Sequence, residues 1–343
     1  MSLFALATVL PVVLIAGGVI VGGFWPLAGL LYMTVFTAVL DRFVPRLLPE
    51  MPEGAEFPTG KGFSTLLGLG HFGLLAVVIA AMNGEMAATG KVVTVLAAGL
   101  WFGQVSHPNA HELIHRSERY ARALGRLAYS TIGFGHHASA HLLVHHVHVG
   151  TDADPNSAAK GTGFYRFATK AWKASFIAGL KAENARAARA QRKRSVWQNP
   201  YVGYIATPVL VVIMAASVAG AWGVGGYLAL CLYAQMQILL ADYVQHYGLR
   251  RAMRENGKPE PVTDAHSWNS PHWFSSALMV NAPRHSDHHL HPTRPYPGLR
   301  LREAMPMMPY SLPVMAVLAL FPPIWRKMMA RELRRLPVGG GSA

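Results

Sequence analysis

Seventeen of the 343 residues are histidines, and nine of them stand at spacings that turn several imidazoles the same way. His111 and His115 in HELIHR are four apart, which on a helix puts both rings on one face. His141 and His145 in HLLVHH repeat that interval, and His146 adds an adjacent ring. His246 stands in DYVQHYGL, while His285, His288 and His289 in RHSDHH form an i, i+3, i+4 set. One histidine of this kind is ordinarily a hydrogen-bonded packing residue. Nine gathered together cannot all be protonated without repelling one another, and burying them neutral leaves acceptor nitrogens in need of a partner. A metal cation answers both demands. Nine nitrogens exceed the four of a structural zinc site and suit two ions holding four or five each. HELIHR also has the HExxH letters of zinc proteases. That chemistry needs only one Glu as base and one further ligand, and leaves the other clustered histidines without a role. A pair of redox metals that cycle with oxygen fits better; imidazole suits iron, although composition alone does not choose iron over zinc.

Apolar helices must position these rings. Hydrophobic residues make up 52% of the chain and charged residues 14%, and no Asp, Glu, Lys or Arg occurs from Met1 to Leu40, Gly62 to Gly84 or Ser195 to Ala241. A bilayer core takes about 20 apolar residues per helix, so spans are expected at about 4–23, 25–40, 63–83, 91–107, 201–221 and 225–245. The first lacks a basic leader and is expected to stay as an anchor. The fold class expected is all-α integral membrane: six transmembrane helices with a cytoplasmic His-rich di-metal cap, in one domain over 1–343. In that arrangement every Lys and Arg except Lys91 falls on one side, which the positive-inside rule makes the cytoplasm and the membrane the inner one. The net charge of +14 is therefore read as topology, and no nucleic-acid module, phosphate loop or internal repeat is seen.

The His-rich cytoplasmic parts are 108–199 and 246–335. Residues 127–151 are uncharged but hold six histidines, so they are expected to pack inside protein at the membrane face rather than against lipid. A polar stretch from Asp41 to Lys61 joins the second and third spans. Arg186, Arg189, Arg192, Lys193 and Arg194 read as an anchor beside anionic headgroups, with an acidic docking partner as the other reading. Residues 304–325 are apolar but broken by prolines, which favours a buried or membrane-dipping segment over a seventh span. Residues 336–343 read as a disordered tail. Cys231 is the only cysteine and falls in a span, which removes disulfide frameworks, Cys-ligated zinc and a built-in iron–sulfur centre.

Read in order, HELIHR, HLLVHHVHVGTDADPNSA followed by GFYRF, DYVQHYGLRR, HSWNS and RHSDHHLHPTRPYPGLR resemble the integral-membrane alkane monooxygenases, within the His-rich di-iron superfamily that includes fatty-acid desaturases. The likeness runs roughly from residue 107 to residue 301. It implies two non-haem iron ions at the cytoplasmic end, held by His111, His115, His141, His145, His146, His246, His285, His288 and His289; how these divide between the irons stays open. It implies O₂, an apolar substrate drawn from membrane lipid, and electrons from rubredoxin or a ferredoxin-type donor with its reductase. No cysteine set for either carrier lies in this chain. Ala140 stands where the alkane enzymes often have Glu, Asp242 and Gln245 where Asn and Glu are common, and Ala282-Pro283 where Leu-Gln is usual. These departures spare the nine ligands and make hydroxylation a firmer implication than n-alkane as substrate.

Ligating imidazoles usually donate their outer N–H to a carboxylate or carbonyl. Glu112, Asp152, Asp154, Asp242, Asp264 and Asp287 are the carboxylate candidates, with Asp242 and Asp287 favoured by closeness in sequence. His71 reads as a packed polar residue, and His107, His136, His137, His148, His266, His272 and His291 as support rather than ligands. Trp25, Tyr32, Phe36, Trp101 and Phe102 read first as membrane packing and second as the lining of a substrate passage; Met305, Met307 and Met308 read as packing. The rivals are a desaturase, an alkyl-aromatic methyl hydroxylase and, from another class, a metal transporter, which would set its histidines at several depths through the bilayer.

Overall fold

The long uncharged runs have no option but to satisfy their backbone groups internally, and they do so as helices. The computed structural model describes residues 1–44, 58–191 and 195–336. Among these there is no β-strand, only isolated bridges such as Met253 with Pro259. The helices are α1 (Ser2–Val21), α2 (Trp25–Phe43), α3 (Pro58–Asn83), α4 (Ala88–His115), α5 (Arg119–Thr131), α6 (136–148), α7 (Phe164–Arg189), α8 (Pro200–His246), α9 (Trp273–Leu278), α10 (His285–Leu290), α11 (Leu312–Ala319) and α12 (Pro322–Arg335). Five of them, α1 to α4 and α8, are long and apolar enough to cross a membrane. The expectations for most of the stretch between the second and third spans, for Arg192, Lys193 and Arg194 of the basic cluster, and for the tail beyond Leu336 lie outside the described residues.

Sequence reading divides 201–245 into two spans where the structure has one helical segment of 47 residues. The segment is broken at Ala219 and Gly220. Gly220 has φ 54° and ψ −139°, a conformation that residues with a Cβ avoid. A Cβ on Gly223 would lie 2.2 Å from the carbonyl oxygen of Ala215. In a straight helix those two residues would be about 12 Å apart, so the chain doubles back here, and glycine lets the two legs close on one another.

Polar contacts are placed where they tie the apolar helices in register. At the turn end, the Lys91 ammonium donates to Met82 O at 2.8 Å and sits 5.1 Å from the Trp222 ring, joining α3, α4 and the reversal in α8. Midway, His71 in α3 meets Ser106 Oγ at 2.6 Å through Nδ1 and Thr131 Oγ1 at 2.7 Å through Nε2. It is the packed polar residue expected. Trp101, fully buried, donates Nε1–H to Thr8 O at 2.9 Å and binds α4 to α1; truncating such a ring costs about 3–5 kcal/mol. Phe102 is buried beside it, whereas Trp25 and Phe36 are exposed on the outer surface.

The non-membrane part is fastened onto these helices. Trp325 packs against Tyr243 and Tyr247, setting α12 on the end of α8. The proline-broken region 304–325 contributes the short helix α11, half-buried through Leu312, Met315 and Ala319. Asp41, at the end of α2, accepts the backbone N–H groups of Phe274 at 3.0 Å and Ser275 at 3.2 Å and so caps α9, the element that leads into α10. Replacing Asp41 with Ala leaves those two donors unpaired inside protein. The cost expected is about 1 kcal/mol, read as a lowered thermal midpoint of the purified protein in detergent.

Candidate metal centre

Four elements deliver the nine histidines. α4 runs unbroken through HELIHR, so His111 and His115 project from its last turn. α6 carries His141, His145 and His146; His246 is the last residue of α8; His285, His288 and His289 occupy α10. Their side chains converge in two groups, His111, His115, His141, His146 and His288 in one and His145, His246, His285 and His289 in the other, with the ligand atoms of each group within 4.8 Å of one another. Among the described residues the two groups contain the nine histidines singled out by spacing and no others.

The division corrects one simple reading of the spacing. His141 and His145, four apart, should share a face of an α-helix, yet they fall in different groups. The reason is a π turn over His141–His145, in which His146 N–H bonds to His141 O. The widened turn brings residues five apart into line, so His141 pairs with His146 and His145 is turned to the second group. π turns are concentrated at functional sites, where they re-aim side chains. In HELIHR the i, i+4 rule holds, with His111 and His115 in one group; in α10 it holds for His285 and His289, while His288, three residues after His285, is turned to the first group.

The Nε2 atoms face inward. His141 Nε2 lies 2.7 Å from that of His111, 3.1 Å from His115 and 2.8 Å from His146, and His146 lies 3.2 Å from His288. In the second group His285 Nε2 is 2.9 Å from His246 and 3.1 Å from His289, and the Nε2 of His145 is buried without a hydrogen-bond partner. Two imidazole nitrogens bound at right angles to one ion at about 2.1 Å lie about 3 Å apart, which is the spacing found. Each group therefore fits one cation with an all-nitrogen donor set. Burial, and then repulsion from neighbouring rings, holds His141, His146, His285, His288 and His289 well below the ordinary histidine pKa. These rings are neutral at physiological pH, the form that binds metal. His145 is different. Burial pushes it down, but the Asp154 carboxylate outweighs that and raises its pKa, while Asp154 is lowered in return.

Asp154 accepts from His145 Nδ1 at 2.9 Å and from Ser157 Oγ at 2.6 Å. Among the described residues it is the carboxylate hydrogen-bonded to a ring of the nine. Asp242 and Asp287, favoured by sequence, do other work. Asp242 accepts from Asn156 Nδ2, which fastens the 151–157 turn to α8. Asp287, wholly buried, accepts from Arg294 at 2.6 Å and from Arg300 N–H at 3.0 Å, holding α10 to the HPTRPYPGLR loop. Glu112 pairs with Arg116, Asp264 with Arg302, and Asp152 is exposed near Arg250. Asn156 went unremarked in the sequence; its Asp-Pro-Asn-Ser setting is a turn signal whose side chains bond locally. HSWNS also finds a role. Buried Asn269 accepts Ser286 N–H at 2.9 Å and donates to Ser286 Oγ at 2.7 Å, stapling the start of α10, while Trp268 Nε1–H donates to Tyr247 O. Gln245 donates to Ala282 O at 3.0 Å.

The remaining histidines lie outside both groups. His107 Nδ1 meets the Tyr129 hydroxyl at 2.9 Å, His266 lies 3.1 Å from Glu260, His272 bonds Ser270, and His291 is 4.0 Å from Asp287. His136 and His137 are buried among aromatic rings, and burial brings His136 down to about 4.

Comparison with known proteins meets this geometry from a separate direction. Residues 89–318 match the fatty acid desaturase family. Alkane 1-monooxygenase 1 of Pseudomonas aeruginosa is 29% identical over 324 residues, spanning 92% of this chain and 85% of its own. Alkane 1-monooxygenase 2 of Alcanivorax borkumensis is 32% identical over 248 residues, 72% of this chain and 65% of its own. The xylene/toluene monooxygenase hydroxylase component of Pseudomonas putida is 27% identical over 95% of this chain and 88% of its own. The matched segment reaches from the fourth helix to the far side of the last histidine cluster, and over that span this chain belongs to the fatty acid desaturase family.

Proposed function

We propose that this chain is a membrane monooxygenase that holds two non-haem iron ions and hydroxylates a terminal or methyl C–H bond of an apolar substrate, an n-alkane to its 1-alkanol above others. The observation that carries this is the convergence of nine imidazoles into a group of five and a group of four at one end of apolar helices. The names of the relatives, alkane 1-monooxygenases with identity along most of the chain, support the substrate class.

A methyl C–H bond offers no acidic proton and no leaving group, so acid–base side chains alone cannot open it. The iron pair, when bound, would supply the redox chemistry by which O₂, two electrons and two protons convert the C–H bond to C–OH and release one water. The chain does the rest. His111, His115, His141, His146 and His288 would hold one ion, and His145, His246, His285 and His289 the other. Asp154 keeps the His145 proton on Nδ1, so that Nε2 stays free to ligate. Asn269 and Asp287 fix α10, and the Asn156–Asp242 bond fixes the turn that carries Asp154. Buried packing around the rings excludes water from the reacting centre.

With the two legs of α8 counted separately, the proposed topology has six crossings of the inner membrane, and the nine imidazoles lie on the basic, cytoplasmic side. Soluble rubredoxin or a ferredoxin-type carrier would then reach them from the cytoplasm while substrate arrives from lipid. The xylene/toluene relative favours a second reading, methyl hydroxylation of an alkyl-aromatic compound.

Two measurements test this reading. Turnover of a panel of alkanes, alkylaromatics and fatty acyl compounds under ¹⁸O₂ is expected to place one labelled oxygen in an alkanol. An unlabelled alkene would assign a desaturase instead, and a labelled benzylic alcohol formed ahead of alkanol would assign the aromatic reading. Purified protein should carry two irons per chain, and Asp154→Asn should weaken iron retention by about 10–100-fold without loss of helicity. Unchanged retention would show that Asp154 does not orient its ligand.

A further inference from the structure

Behind the helix that carries three of the nine histidines lies a polar cavity of about 90 Å³, between α5, α6, α7 and the first leg of α8. Arg122 and Arg126 line it from α5 and Arg186 from α7. Its floor is buried and hydrogen-bonded. Ser139 Oγ of α6 donates to Glu183 Oε1 of α7 at 2.9 Å and lies 3.0 Å from the Tyr204 hydroxyl of α8, so three helices are joined at this point. Arg186 Nη2 pairs with Glu183 Oε2 at 2.9 Å. Arg122 Nη1 donates to Arg116 O at 2.8 Å and Arg126 Nε to Arg122 O at 3.2 Å. Among the described residues neither of these two guanidiniums is in an ion pair with a carboxylate. Three guanidiniums therefore share one carboxylate, which leaves positive charge in excess and forked donors of the kind that match a phosphate.

The cavity lies at the level where the chain enters its apolar zone. Tyr204 is about 6 Å along α8 from Pro200. Just ahead of that helix Val196 and Trp197 are 77% and 81% exposed, the placing of apolar and indole side chains at a headgroup boundary. Leu127 on α5 and Ile205 and Val209 on α8 are exposed apolar residues on the helices that border the cavity, whereas Thr131, a little further along α5 than Arg126, is already bonded to His71 inside the bundle. We infer that this cavity holds the phosphodiester of an anionic phospholipid from the leaflet on the histidine side, with the acyl chains in the surrounding bilayer. Its volume is far below the roughly 300 Å³ at which pockets begin to take drug-sized molecules; it suits one phosphate group and excludes a nucleotide. The excess of positive charge selects an anionic lipid over a zwitterionic one, whose own ammonium is repelled. This binding does not depend on the hydroxylase reading. Its consequence reaches the metal centre through α6. Ser139 and Leu142 line the cavity, while His141, His145 and His146 on the same helix belong to the two imidazole groups. A headgroup bound here ties α5 to α7 across the back of α6 and braces the helix that aims those rings.

The full chain in mild detergent is titrated with phosphatidylglycerol and, separately, with phosphatidylcholine of the same acyl chains; bound lipid is counted by native mass spectrometry and the thermal midpoint is followed. Phosphatidylglycerol is expected to bind more tightly and to raise the midpoint. Arg126→Gln and Arg186→Gln should each weaken its binding by about fivefold and reduce that rise. Arg189→Gln, on the same helix as Arg186 but outside the cavity, should change neither. Arg126 is exposed, so its variant carries the test alone if loss of the Arg186–Glu183 pair unfolds the other, and helicity by circular dichroism shows which variants have folded. Equal retention of the two lipids, unaltered binding in folded Arg126→Gln, or an equal loss in Arg189→Gln overturns the site. Inorganic phosphate that displaces the lipid and gives the same rise in midpoint assigns the cavity to a soluble anion and overturns the lipid. None of these readouts involves turnover, so each of these failures leaves the hydroxylase reading standing.

Discussion

Nine buried or half-buried imidazoles aimed at two points are the constraint to which the rest of the molecule answers. Inward-facing Nε2 atoms 2.7–3.2 Å apart cannot all satisfy one another, because each neutral ring has a single N–H to give. In water such rings would separate. Here they are held by helices whose own packing is indifferent to the conflict: α4 is locked to α1 by Trp101, and α8 is turned back on itself at Gly220 and Gly223. The cation that would relieve the conflict is thereby built into the fold as a demand, and burial keeps protons from meeting it instead.

That demand explains why so much structure around the rings is polar and buried. Asp154, Asn156, Asp242, Asn269 and Asp287 are all within protein, and each uses its hydrogen bonds to fix one of the converging histidines or an element that positions them. Asn156 and Asp242 form one link, Asn269 and Ser286 another, Asp287 and Arg294 a third. A helix as short as α10 has too few internal bonds to hold its own direction. Its three histidines can be aimed because its first turn is stapled to HSWNS and its middle to the arginine loop.

The amino-acid pattern made the converging histidines legible because the chemistry is carried by residue type: histidine recurring at helical intervals has few other uses. The long helices were legible because uncharged runs have one way of satisfying their backbone in an apolar setting. What the pattern did not reveal is local backbone geometry. The π turn at His141–His145 leaves no mark in composition, so the split of His141 from His145 could not be read from spacing. Nor does sequence proximity report which carboxylate faces a ring. Asp287 lies between two of the converging histidines yet points to Arg294, whereas Asp154, nine residues from His145, reaches it through a turn. The reversal in α8 was readable as two spans only through length; Gly220 marks it in the structure.

The depth of the rings separates an oxidising centre from a conduit. A transport path needs polar side chains in succession across the apolar layer. In α3, His71 is occupied by Ser106 and Thr131, and the nearest cation beyond it, Lys91, is tied to Met82 and Trp222 at the opposite end. All nine converging imidazoles lie instead on the last turn of α4, the last residue of α8 and the two elements packed above them. Beside that level, between α4, α8 and α11, lies a small cavity whose wall includes Leu240, Ala241 and Leu312. Imidazoles gathered at one level of the helices, with apolar surface beside them, suit chemistry at a fixed centre rather than the movement of a metal across the layer.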